Sequence, residues 1–325
     1  MAPTTGGATT LALVSVSAVL AIAAALYWRQ RRATAFVARK RAAKSRLPPT
    51  IIISLARLPV ARKGALKRAD EAGLERVSIF DAVDGRTLST KELDHRQVSV
   101  YSGWRLGSSG FRFFDRELKW GEVGCALSHI GVWSQVAAME EDDVALVIED
   151  DVEFVPAFVE RLRGVLAEIA ALVREGVIHE PDACYLCRKA MRPELDHVLP
   201  RSRSHVATMT DGDIPPTPKL LIPGFSYKTT AYLLWQRGAR KLLASDLERK
   251  LIPVDDFLAL TYAKHEAKAG IARPDLDSLF AAAPRLNMLA VQPQLCRERR
   301  GVSATENSPL ITMRAAGGEP RRIPH

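Results

Sequence analysis

The sequence predicts an α/β fold built around a mostly parallel central sheet. Three observations carry this expectation. From Thr50 onward, short β-branched runs alternate with longer segments of helical period. Several of those runs are apolar throughout, as strands buried on both faces are. Proline and glycine then punctuate the helical segments near their starts and ends.

Taken in order, Thr50 to Leu55 reads as a buried strand and Pro59 to Gly73 as a helix. Arg76 to Asp81 reads as a second strand, closed by a turn at Asp84-Gly85. The aromatic, glycine-bearing stretch from Tyr101 to Lys119 is expected to be a long loop. Glu122 to Glu140 follows as a helix with the apolar stripe Ala126, Ile130, Trp133 and Ala137. Val144 to Ile148 is a short apolar run ending abruptly in three acids, the pattern of a central strand reaching a site. Pro156 to Arg174 has strong helical period, and Ala183 to Cys187 reads as another core strand. Arg192 to Pro223 is rich in Pro, Arg, Ser and Asp and is expected to be a loop or lid. Tyr232 to Trp235 reads as a strand and Gly238 to Lys250 as a helix. Residues 50–303 form the expected catalytic domain and 304–325 a disordered tail.

Upstream of this domain, Leu11 to Trp28 is apolar apart from Ser15 and Ser17, which is long enough to cross a bilayer. No Lys or Arg precedes it, unlike a cleaved signal peptide, so residues 1–28 read as a tail and membrane anchor. Residues 29–49 read as a basic juxtamembrane linker. Arg29 to Pro49 holds eight Lys or Arg and no acid, so of the chain's net +9 only +1 remains elsewhere. The charge excess therefore suits lipid headgroups and gives no support to nucleic-acid binding, for which interleaved aromatics are also missing. The positive-inside rule puts this arm, and the domain after it, in the cytoplasm. A Golgi or ER transferase would have the opposite orientation, and the side of the membrane stays open. Cys184 and Cys187 form a CxxC within an apolar strand, where positions three apart face opposite ways, so they are expected to be core.

Chemistry concentrates in Val144-Ala-Leu-Val-Ile-Glu149-Asp150-Asp151-Val152. In an open α/β sheet, ligands bind beyond the carboxyl ends of the strands, where these acids would lie. Residues i and i+2 of extended chain share a side, so Glu149 and Asp151 should point together with Asp150 turned away. Two such oxygens suit Mn²⁺ or Mg²⁺. The other reading of the three acids is a solvated turn before a helix. Upstream, Glu122, Cys125 and His129 share one helix face, and downstream lie Asp255 and Asp256.

Taken as an ordered set, several motifs resemble glycosyltransferase family 25. They are Ile52-Ile-Ser54-Leu55 with Arg57 and Arg62, Ala82-Val-Asp84-Gly85, Gly121-Glu122-Val-Gly124-Cys125-Ala-Leu-Ser128-His129, Leu146-Val-Ile-Glu149-Asp150-Asp151-Val152 and Pro253-Val-Asp255-Asp256. The likeness extends through Thr230-Ala-Tyr232 and Gly238 to Leu243, into Val291-Gln-Pro293. Ser54 stands where the family usually has Asn, Cys187 where it commonly has Gly, and Trp235 where Ser is common. The resemblance implies a GT-A-like nucleotide-diphospho-sugar transferase fold. It implies a UDP-sugar donor, often UDP-galactose, and inversion at the anomeric carbon. The acceptor would be a hydroxyl on a glycan, a lipopolysaccharide-like lipid or a protein. On the matching positions, Asp151 with Glu149 would hold Mn²⁺ or Mg²⁺. Arg57, Arg62, Asp84, Glu122, Ser128, His129, Glu149 and Asp150 would surround the donor. Inversion needs a general base, and Asp255 or Asp256 would supply it. Asp255 is preferred, with Asp256 expected to cap a helix from Leu258 to Lys268.

Two other classes compete with this reading. A metal-dependent phosphohydrolase would need further His and Asp ligands for a two-metal centre. A silent membrane-tethered adaptor of transferase-like fold would have no need of Glu149, Asp151 and Asp255.

Overall fold

The computed structural model describes residues 47–104, 116–141, 143–203, 217–265 and 273–299. The chain divides into a unit of Met1–Leu47 and a unit of Pro48–His325. The expected anchor, most of the basic linker and the tail 304–325 lie outside the described residues. Among the described residues, no helix is long and apolar enough to cross a membrane.

Strand β1 (Thr50–Ser54) is buried along its whole length, as its unbroken β-branched run requires. Helix α1 (Pro59–Glu71) starts on proline, where the missing N–H would have no partner anyway. It stops at Gly73, whose φ of +82° is the left-handed conformation that lets the Leu74 N–H turn back onto the Ala69 carbonyl. After β2 (Val77–Asp81), a short helix α2 (Thr90–His95) departs from the sequence expectations. Its signal was present: Ser89 three residues before Glu92, with the Ser89 hydroxyl accepting from the Glu92 N–H.

Helix α3 (Trp120–Ala137) starts two residues earlier than expected. The sequence stripe predicts one buried face, yet eleven of its eighteen residues are buried. The helix is packed against several elements, and it approaches the turn after β2 closely. A Cβ on Gly85 would lie 2.2 Å from the Trp120 carbonyl oxygen, and one on Gly124 would lie 2.5 Å from that of Val83. Paired glycines let the backbones touch, which draws Asp84 toward the start of α3.

The chain continues through β3 (Val144–Glu149), β4 (Val152–Phe154) and α4 (Phe158–Arg174). Helix α4 begins after Ala157, which takes a left-handed φ of 54°, so Pro156 precedes the helix instead of opening it. Strand β5 (Ala183–Ala190) buries both Cys184 and Cys187, and these cysteines are free, which agrees with a packing role for the CxxC. The expected loop from Arg192 to Pro223 holds β6 (His197–Val198) and β7 (Lys219–Ile222), while its residues 204–216 lie outside the described set. Asp196 anchors its start by ion-pairing with the buried Arg188 and accepting from the Gly224 N–H. Strand β8 (Ser226–Trp235) begins six residues before the expected Tyr232. Helices α5 (Gln236–Leu243), α6 (Val254–Leu260) and α7 (Pro274–Leu279) precede β9 (Met288–Gln292) and β10 (Cys296–Glu298).

Eight strands form one sheet in the order β2-β1-β3-β8-β5-β9-β7-β6, and β4 pairs with β10 separately. The β2-β1-β3 side is parallel, as strand–helix alternation predicts. Strand β8 then runs antiparallel to both neighbours, β9 runs parallel to β5, and β7 and β6 are antiparallel, so the sheet as a whole is mixed. The reversal at β8 matters for the site, because Ile148 pairs with Ala231. The carboxyl end of β3 therefore lies beside the early residues of β8.

Candidate active site

Glu149 ends β3 and the chain turns at Asp150-Asp151. Asp150 points toward β1, where the Ser54 hydroxyl donates to its Oδ2 at 2.6 Å. Burial raises the Asp150 carboxyl above its ordinary value, partly offset by that hydrogen bond. Glu149 points the other way, accepting from the Thr229 hydroxyl of β8 at 2.7 Å. His129 Nε2 of α3 lies 3.5 Å from Glu149 Oε1. Burial pushes the Glu149 carboxyl up, but its contacts with His129 and Thr229 outweigh this and hold it below the usual range. The Asp151 carboxyl is pushed up to about 7, first by burial and then by Glu149, Glu298 and Asp150. Its Oδ1 is buried without a hydrogen-bond partner. A buried carboxylate oxygen with no donor beside a second carboxylate is a fitting place for a hard cation.

The acidic turn is held by a residue with no signal in the sequence. Arg68 of α1 donates to the carbonyls of Asp150 at 2.5 Å and Val152 at 2.7 Å. It clamps the backbone between them and so fixes where Asp151 sits. Arg68→Gln should keep the fold and lower divalent-cation affinity about 10–100-fold, the usual cost of losing a support behind a metal ligand. Calorimetric titration with Mn²⁺ measures this, and unchanged affinity would show that the turn needs no clamp.

Helix α3 presents Cys125 and His129 one turn apart toward Glu149. His129 Nδ1 lies 2.9 Å from the Tyr232 hydroxyl, which also accepts from Trp133 Nε1 at 3.0 Å. The Cys125 thiol is raised well above its ordinary value, first by burial and then by Glu149, Asp255, Glu122 and Asp151. Carboxylates of α3, the end of β3 and α6 thus all act on this thiol through their charge.

Asp255 and Asp256 occupy the first turn of α6, which starts at Val254 and ends at Leu260. The helix from Leu258 to Lys268 is not formed as expected: the helix starts directly after Pro253 and ends at Leu260, and residues 266–268 lie outside the described set. The local contact also falls to the other acid: the Asp256 N–H donates to Asp255 Oδ1 at 3.0 Å. Asp256 is fully buried, with its Oδ1 3.6 Å from the equally buried His265 Nε2 and with Tyr227 beside it. Asp255 is partly exposed and faces Asp256, Glu122 and Glu149.

Both carboxyls are pushed up to about 8, first by burial. Asp256 also feels Glu122, and Tyr227, Arg273 and Arg116 oppose the rise. Each therefore holds a proton in the folded protein that it loses near pH 4 when unfolded, since an ordinary Asp titrates at about 3.9. That contribution is complete below the unfolded value and is lost as pH climbs through the folded one. In chelator, the melting temperature should fall between about pH 5 and about pH 8, with a shallower fall in Asp256→Asn. Equal slopes in the two proteins would remove Asp256 from this account.

The other expected site residues divide into two groups. Arg57 Nε donates to Asp84 Oδ2 at 2.5 Å, and Asp84 also accepts from the Arg86 N–H. Arg62 bridges the Ser54 carbonyl at 2.9 Å and Asp81 at 2.5 Å. These residues lie beyond the carboxyl ends of β1 and β2, on the side of the acidic turn. Glu122 and Ser128 instead support the scaffold. Glu122 accepts from Arg116 at 2.6 and 2.9 Å and from the Lys119 N–H at 2.7 Å, closing the start of α3. Ser128 accepts from the Val83 N–H and donates to the Gly124 carbonyl. Thr229, Tyr227 and His265 escaped the sequence reading, because each reaches the site through pairing or packing distant in the chain.

A family model described as "Glycosyltransferase family 25 (LPS biosynthesis protein)" matches residues 47–258. The chain is 34% identical over 281 residues to "Probable inactive glycosyltransferase 25 family member 3" of Rattus norvegicus, covering 85% of this chain and 44% of that protein. Identity is also 34%, over 282 residues, to "Inactive glycosyltransferase 25 family member 3" of Homo sapiens, covering 85% of this chain and 42% of that one. It is 31% over 237 residues to "Glycosyltransferase 25 family member" of Aedes aegypti, covering 72% of this chain and 34% of that protein. The chain spans less than half the length of these relatives.

Proposed function

Because this chain belongs to glycosyltransferase family 25, we propose that it is an active, metal-dependent, inverting hexosyltransferase with a GT-A-like fold. The donor is a UDP-sugar, with UDP-galactose the first choice, and the acceptor is a hydroxyl on a glycan, glycolipid or protein. The observation that carries this reading is the acidic turn at the carboxyl end of β3, where Asp151 Oδ1, two residues after Glu149, is buried without a hydrogen-bond partner.

Asp151, with Glu149 beside it, is the ligand set for Mn²⁺ or Mg²⁺, and the orphaned Asp151 Oδ1 fits that role. Such an ion supplies Lewis-acid neutralisation of a departing diphosphate. The chain's own groups do the rest. Asp255 takes the proton from the acceptor hydroxyl, and its raised carboxyl suits a base working near neutral pH. Arg57 and Arg62 present guanidinium groups toward the nucleotide side, preset by Asp84 and Asp81. Thr229 and His129 hold the Glu149 carboxylate in place.

The word "inactive" in the mammalian names describes those proteins. It favours the silent-adaptor reading for this chain only if the acids here do no chemistry. A two-metal phosphohydrolase finds less support, because the described residues hold one group of three close potential ligands, Cys125, His129 and Glu149. Screening UDP-sugars with purified protein, with and without Mn²⁺, separates the three. Cation-dependent release of UDP supports transfer, release of phosphate supports hydrolysis, and neither supports the adaptor.

The reading includes a membrane tether through Leu11 to Trp28. Removing residues 1–46 should move the protein from the membrane pellet to the soluble fraction with donor turnover retained. Sedimentation with membranes after that deletion would remove the tether.

A further inference from the structure

We propose that Cys125, His129 and Glu149 form a binding site for a thiophilic divalent cation of the Zn²⁺ class. This site differs in ligand chemistry from the hard-cation position at Asp151. The three donor atoms lie within 4.8 Å of one another, and Asp151 does not belong to the group. Around a tetrahedral Zn²⁺, the usual bond lengths put such donors about 3.3–3.6 Å apart, so a modest contraction closes the set. Glu149 Oε1 and His129 Nε2 already stand 3.5 Å apart. His129 is fully buried, and its Nε2 is aimed into the cluster, where it makes no hydrogen bond of ordinary geometry and has only the 3.5 Å contact with Glu149 Oε1.

Each nitrogen or oxygen ligand also has the outer support that metal ligands characteristically have. The Tyr232 hydroxyl meets His129 Nδ1 at 2.9 Å and fixes the ring so that Nε2 faces inward. Thr229 orients the Glu149 carboxylate at 2.7 Å. Partners of this kind set ring orientation and ligand basicity in metal centres. One sulfur, one imidazole and one carboxylate make a mixed set that Mg²⁺ and Mn²⁺ bind poorly and Zn²⁺ binds well. Three protein ligands leave the fourth position open. Cys125 and Glu149 are both partly exposed, which gives a cation access from solvent.

The regulatory consequence rests on the transferase reading: an ion seated here holds Glu149, so Zn²⁺ competes with the Mn²⁺ that supports transfer. The binding itself does not depend on that reading.

Co²⁺ is the probe, added to the chelator-stripped full-length chain. The expected result is a thiolate-to-Co²⁺ charge-transfer band in the near ultraviolet, with visible bands of four-coordinate geometry, both bleached by one equivalent of Zn²⁺. Cys125→Ser, nearly isosteric, should abolish the charge-transfer band with an unchanged near-ultraviolet circular dichroism spectrum, and should weaken Zn²⁺ at least about 100-fold. His129→Gln should weaken Zn²⁺ similarly, and Asp151→Asn should retain the band. Folded wild-type protein that gives no charge-transfer band with saturating Co²⁺ overturns the proposal, as does a band that survives Cys125→Ser. If the band appears and no UDP-sugar is turned over, the site stands and the transferase reading falls.

Discussion

Asp255→Asn should lower sugar transfer about 10²–10⁴-fold while leaving donor affinity near that of the wild type, the signature of a lost general base. The geometry separates this residue from its neighbour. Asp255 is partly exposed at the first turn of α6 and faces Glu122 and Glu149, whereas Asp256 is sealed against His265 and Tyr227. Of the two, Asp255 is the more exposed, and the base is proposed there for that reason. Because its carboxyl is raised to about 8, the basic form grows with pH, and wild-type transfer at saturating donor should climb toward that value. Asp255→Asn should lose the climb along with the rate. Asp256→Asn should act chiefly on stability, since it alters a buried group in contact with His265. Stopped assays of transfer alongside titrations of UDP binding check both variants. Should Asp255→Asn transfer at the wild-type rate, the base lies elsewhere, and His129 becomes the next candidate.

The second large effect is expected at Asp151. An amide is a poor ligand for a hard cation, so Asp151→Asn should weaken Mn²⁺ by more than the 10–100-fold typical of losing an outer support, that is at least about 100-fold. Donor turnover should fall with it at ordinary Mn²⁺ concentrations. The substitution is close in shape and removes a carboxyl raised to about 7 by burial and by Glu149, so it should not harm the fold. Full activity in this variant, or in excess chelator, would end the metal-dependent reading.

Much of the central architecture was legible in the sequence because its signals are local. An all-buried β-branched run can be little else than a core strand, and β1 and β3 are where their patterns place them. Glu122, Cys125 and His129 could be assigned to one helix face by spacing alone, and Cys125 and His129 do meet Glu149. What spacing could not convey was the partner of each group. Glu122 has the right spacing for a ligand, but its carboxylate is occupied by Arg116 and Lys119, and Arg116 belongs to a stretch without periodic signal. Nothing in an amphipathic helix distinguishes Arg68 from its exposed neighbours until the acidic turn is folded against it. The orientation of β8 was hidden for the same reason: an apolar run has no direction, and only the pairing of Ile148 with Ala231 reveals it. The boundary of α6 was misjudged because the pair of acids after Pro253 reads equally well as a turn or as a first helical turn.

The interior position of β9 has a consequence for synthesis. Every motif acid has been synthesised once Asp256 is joined to the chain, and the family match ends at residue 258. Yet β9 at Met288–Gln292 is hydrogen-bonded between β5 and β7, and β10 pairs with β4 just after the acidic turn. The Arg299 N–H even bonds the carbonyl of Asp151. A nascent chain therefore waits with open strand edges until these late residues emerge, the condition in which sheets are slowest to close and most prone to aggregate. A stop codon just past Asp256 would leave every motif acid encoded and the sheet unfinished.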